Sequence, residues 1–155
     1  MRIDVGTFLK RSALAIASTF LPGIEAHAQQ QFLGQWYCEF SYTEYNNSGK
    51  RSSGFTMVFG TVIQSDGSFY AEGQEQSIMG NQPFQAQGRW FIENGSRGPL
   101  FNARGQRSGP SGISPFGYIG FLGPDNRVLY HNQDIPNPQT GRIMSRSSTE
   151  CTRTG

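Results

Sequence analysis

From residue 35 to the end of the chain, apolar and polar residues alternate in short runs separated by turn signals, and helical periodicity is nearly absent. A period of two puts successive side chains on opposite faces of an extended strand, so the pattern predicts an all-β domain. Eight segments carry it. In the first, residues 35–45, Trp36, Cys38, Phe40 and Tyr42 share one face and Glu39, Ser41 and Thr43 the other. The polar stretch NNSGKRSSG separates it from the second, residues 55–64, with Phe55, Met57, Phe59 and Ile63 on one side. A turn at Ser65, Asp66 and Gly67 leads into the third, 68–77, since Asp-Gly supplies the positive torsion of a tight hairpin. The fourth, 84–93, alternates Phe84, Ala86, Gly88, Trp90 and Ile92 with Gln85, Gln87, Arg89, Phe91 and Glu93. The fifth, 100–107, is weaker, and residues 108–117, SGPSGISPFG, are expected to form the longest loop, a lid or rim. The sixth, seventh and eighth span 118–122, 127–133 and 142–153.

Short connections predict an up-and-down antiparallel meander. Gly60, Gly73, Gly88, Gly105 and Gly120 lie inside the segments, where a missing side chain permits the bends that close a small barrel. Closing an eight-stranded meander pairs its first strand with its last, and Cys38 and Cys151 stand in those two strands. The expected architecture is therefore an eight-stranded antiparallel up-and-down barrel whose seam is stapled by a Cys38–Cys151 disulfide. The competing arrangements are two free thiols, or a bridge in an open β-sandwich.

The N-terminus bears on redox compartment and partners. Arg2, Lys10 and Arg11 precede a short apolar run, residues 12–21, and Ala26-His27-Ala28 has small residues at the spacing of a signal-peptidase site. Residues 1–28 are expected to be a signal peptide cleaved after Ala28, giving a single domain, 29–155, that is periplasmic or secreted. The apolar run is too short to cross a bilayer. Export favours a disulfide over a thiol-based metal or redox site. Ten basic and nine acidic residues remain after Ala28, and the arginines are scattered, Arg97, Arg104 and Arg107 being the closest group. That balance points to no nucleic-acid partner. Polar rows such as Gln85, Gln87, Arg89 and Glu93 would be badly placed in hydrocarbon, so a membrane-embedded barrel is not expected.

Groups suited to chemistry are few. His131 is the only histidine beyond residue 28, so no histidine-rich metal site is expected and no cofactor is implied. Glu72 and Glu75 are three apart in a strand and point to opposite faces, while Asp66 and Asp125 belong to turns. The glycines at 109 and 112 open no helix, as a phosphate cradle requires. The expectation is a protein that is not an enzyme. Aromatic residues are plentiful, and small residues on the same faces suggest interior room for one modest, partly apolar ligand held among Phe69, Trp90, Phe101 and Tyr118 beneath residues 108–117.

With Gly34-Gln35-Trp36 opening the first strand, eight predicted strands and arginines in the last, the chain resembles the calycin superfamily of lipocalin-like and avidin-like barrels. The resemblance implies that Trp36 sits at a closed barrel end with Arg146 or Arg153 packed on its ring. The chain has no counterpart of the lipocalin Thr-Asp-Tyr turn. It also resembles the small exported inhibitors of bacterial metalloproteases, barrels with one disulfide that act through an N-terminal segment. That resemblance implies an alternative function, a protein-binding module working through residues 29–34 or its rim loops. Calycin-like isomerases imply a third, an enzyme on a barrel scaffold.

Overall fold

The computed structural model describes residues 29–155, so the expected signal peptide, His27 included, lies outside the described residues. The strands are β1 (Gly34–Tyr45), β2 (Arg51–Ile63), β3 (Ser68–Ser77), β4 (Gly80–Gly95), β5 (Gly98–Gly109), β6 (Gly112–Leu122), β7 (Val128–Pro136) and β8 (Ile143–Arg153). All neighbours are antiparallel and the sheet closes in chain order, β8 returning to β1. Across that seam Trp36 opposes Arg153 and Cys38 opposes Cys151. The two cysteines form a disulfide over a Cα separation of 4.0 Å. Ring closure sets β1 and β8 side by side in one wall, and the sulfur bridge staples them there.

Alternation decides which residues fill the ring. Trp36 and Cys38 on β1, Phe59 and Ile63 on β2, Phe69 and Ala71 on β3, and Phe84, Ala86 and Trp90 on β4 are buried, as are Phe101 and Ala103 on β5, Phe116 and Tyr118 on β6, Leu129 and Cys151. Polar neighbours such as Glu39, Gln85, Gln87 and Glu150 are exposed. Where β4 and β5 pass closest, Gly88 opposes Gly105, and a Cβ on Gly105 would lie 2.0 Å from the Gln87 carbonyl oxygen. Gly60 differs from the expectation for the strand glycines, because a Cβ there would meet nothing within 4 Å.

Most strands run longer than the sequence pattern predicts. β2 begins at Arg51, because Glu44 opposes Ser53 and accepts its hydroxyl at 2.6 Å. The largest correction concerns residues 108–117. They are not a loop: β5 continues to Gly109, β6 starts at Gly112, and only Pro110 and Ser111 make the turn. Gly112 takes the left-handed torsion, φ 101°, that closes so short a hairpin. Pro115 lies inside β6, where proline is tolerated because the strand has a neighbour on only one side at that height.

The two ends of the barrel differ. At one end residues 29–33 make a single turn that drops Phe32, with no exposed surface, into the ring. Trp36 donates its indole N–H to the Phe32 carbonyl at 2.9 Å, and the Phe32 ring stacks on Phe101 at 5.4 Å. This end is a floor. At the other end four hairpin connections surround a mouth, residues 46–50, 78–79, 110–111 and 137–142.

Candidate binding surfaces

Phe69, Trp90, Phe101 and Tyr118 do come together, as the sequence suggests, but against one another. Trp90 stacks on Phe101 at 5.8 Å, Phe101 meets Tyr118 at 5.5 Å, and Tyr118 meets Phe69 at 6.2 Å. All four are buried, and Phe59, Phe84 and Phe116 pack on them as the next tier. The four rings thus contact one another across the barrel. Their polar atoms are also used: Trp90 donates to the Gln64 carbonyl at 2.7 Å, and Tyr118 donates to the Thr61 hydroxyl at 3.2 Å. Burial pushes the Tyr118 hydroxyl well above the ordinary tyrosine range, so it stays a neutral donor. The turn expected to cover these residues lies at the mouth, above the Phe84 and Phe116 tier.

Above the aromatic tiers the interior becomes polar. Arg107 on β5 forms an ion pair with Glu75 on β3, donates to the Ser114 hydroxyl at 2.9 Å, and lies over the Phe84 ring at 5.9 Å. A recess of about 200 Å³ adjoins this pair between Gln82 and Ser114. Beside it Phe40, Tyr42 and Phe55 form a half-buried shelf, with ring separations of 5.9 and 5.7 Å. Sequence alternation places Arg107 inside, but ranking it with Arg97 and Arg104 hides this. Arg97 is in the turn after β4, and Arg104 faces outward over Phe91 at 5.3 Å.

Three hairpins share one form, two central residues followed by a glycine of positive φ. Their central pairs are Ser96-Arg97, Pro110-Ser111 and Ile78-Met79. The last pair projects from the mouth with 92% and 77% of its surface exposed. The turn is satisfied by polar residues elsewhere in the same barrel, so nothing in its geometry requires isoleucine and methionine.

The remaining sequence candidates separate. Arg153, and not Arg146, lies over Trp36, at 4.3 Å. Arg146 instead pairs with Asp134 near the mouth, at 2.6 Å, because its position on β8 is seven residues from the floor. That pairing holds the Asp134 carboxyl below its ordinary range. His131 stacks on Phe121 at 6.1 Å, and burial, with a smaller contribution from Arg97, pulls its pKa down. Residues 29–33 are tied to the floor, where Arg153 donates to the carbonyls of Gln31 and Leu33. Among the described residues, no group of three or more His, Cys, Asp or Glu side chains is placed to hold a metal ion. Comparison of the chain with protein-family models, with curated proteins and with solved structures finds no match.

Proposed function

We propose that the protein is an exported, non-catalytic binding module that engages a protein partner through the mouth of its barrel, with Ile78 and Met79 as the anchoring side chains. The exposed Ile78–Met79 tip carries this reading. Two apolar side chains held clear of the barrel lose favourable free energy to water, and burial against a partner recovers roughly 1.5–3 kcal/mol for each. A two-residue turn also presents them with little freedom left to lose on docking. Residues 29–33 are committed to the floor, which favours the rim over an N-terminal arm as the contact surface. The test is the double substitution Ile78→Ser, Met79→Ser. It should leave the unfolding midpoint unchanged while abolishing partner capture from the native exported fraction; unchanged capture rejects the reading.

A second reading, a small apolar ligand, is supported by the half-buried shelf of Phe40, Tyr42 and Phe55, next to Met57, whose sulfur accepts from Arg107 at 3.3 Å. Its occupant would have an apolar body and an acceptor for the guanidinium. Native mass spectrometry of protein from its own host should then show a retained mass that Phe55→Ala removes.

A further inference from the structure

The wall of the barrel is not equally paired all round. β6 and β7 pair at two positions only, Phe121 with Tyr130 and Leu122 with Leu129. Each strand is fully paired on its other side, β6 with β5 from Gly112 to Gly120 and β7 with β8 from His131 to Pro136. Among the described residues, no cross-strand pair joins β6 to β7 above Phe121. Continuing the observed register would set Gly117 opposite Asp134 and Phe116 opposite Ile135. Instead the wall splits from that height to the mouth. His131, stacked on Phe121, stands at the bottom of the split, and beyond it β7 is exposed through Pro136.

An open edge is a row of backbone donors and acceptors that invites pairing, and natural proteins place proline there to limit it. Pro115 lies within the free length of β6 and Pro136 ends that of β7. Their positions mark the split as part of the folded design, since either proline would be costly in a strand paired on both sides. The chemical complement of two such lips is one extended polypeptide backbone, the only common ligand with donors and acceptors alternating at strand spacing. A second copy of the barrel fits poorly. The two free edges belong to one wall, so a lone strand can pair with both at once.

We infer that the split between β6 and β7 accepts an extended peptide segment of a partner protein as an added strand. The alternate side chains of that segment would point inward over Phe116, so apolar or β-branched residues are expected at every second position. The inference stands independently of the Ile78–Met79 tip, which projects from another hairpin.

Selection of phage-displayed random dodecapeptides on the disulfide-intact protein provides the probe. In the free protein, edge amides in 113–119 and 132–135 should exchange with solvent far faster than those of β2. A selected peptide should slow their exchange and leave the amides of Ile78 and Met79 unchanged. Methylating a peptide nitrogen that donates to a lip should weaken binding about tenfold, though every side chain is kept. Failure to select any peptide, protection of those edge amides in the free protein, or indifference to N-methylation would each overturn the inference. Peptides that protect only the tip would overturn it too, while supporting the reading of Ile78 and Met79.

Discussion

The guanidinium of Arg153 lies 4.3 Å from the centre of the Trp36 ring and donates to three main-chain carbonyls, those of Gln31, Leu33 and Asn126. One side chain at the end of β8 thus joins the start of β1, the turn that carries Phe32 and the turn between β6 and β7. Arg153→Ala should cost about 2–3 kcal/mol, combining a cation–π contact with carbonyls left without a donor. Calorimetry should show a midpoint lowered by about 10 °C. Arg153→Lys should recover less than half of this, because an ammonium cannot reproduce the fork. A midpoint unchanged in Arg153→Ala would remove the arginine from any role in closing the floor.

The disulfide links positions 113 residues apart, so its main effect is on the unfolded chain. The double variant Cys38→Ala, Cys151→Ala should lose about 2–5 kcal/mol in urea unfolding and keep the native far-ultraviolet spectrum. The spectrum should persist because nine cross-strand pairs hold β1 to β8 without it. Loss of strand signal in buffer would mean that the sulfur bridge, and not the ladder, closes the ring.

Glycines in similar strand contexts should respond in opposite ways. Gly60→Ala places its Cβ in open space and should be neutral or stabilising by up to about 1 kcal/mol. Gly105→Ala drives a Cβ to 2.0 Å from the Gln87 carbonyl oxygen and should destabilise by more than about 2 kcal/mol, or prevent folding. Equal unfolding midpoints for the two variants would contradict the close approach of β4 and β5.

His131 and Asp134 both lose their contribution on acidification, at different pH. His131 has a folded pKa below its unfolded value, so its contribution is fully present above about pH 6.5 and fades as pH falls through the folded value. Asp134, paired with Arg146, also has a lowered pKa, and its contribution persists until pH falls below about 4 and then through the folded value. Stability should therefore decline in two steps on acidification. His131→Gln should erase the upper step, and Asp134→Asn should diminish the lower, to which Glu44 and Asp66, also held below their ordinary range by hydrogen bonds, contribute as well. An NMR titration placing the native His131 pKa at or above 6.5 would contradict the first assignment.

Where alternation was unbroken, the strands were readable from the chain. The inward rows of β1 and β4 follow directly from residue order, and the expected seam with its Cys38–Cys151 bridge is the one that forms. Residues 108–117 were misleading because glycine, proline and serine signal a loop by composition, while their cross-strand partners make most of them strand. Phe32 gave no periodic signal, being a lone aromatic ahead of the first strand. The four interior aromatics were identifiable as inward, but whether they enclose space or fill it depends on tier-to-tier contact across the ring. Sequence spacing carries no information about that.

The chain's order of residues determined the all-β class, the strand faces and the meander order, because period-two alternation and turn chemistry act within a few residues of one another. Tertiary structure alone decided that Phe69, Trp90, Phe101 and Tyr118 pack on one another, that Arg153 and not Arg146 reaches Trp36, and that the wall parts between β6 and β7. Those outcomes depend on stagger, ring closure and the volume shared by side chains from all eight strands, which no local stretch specifies.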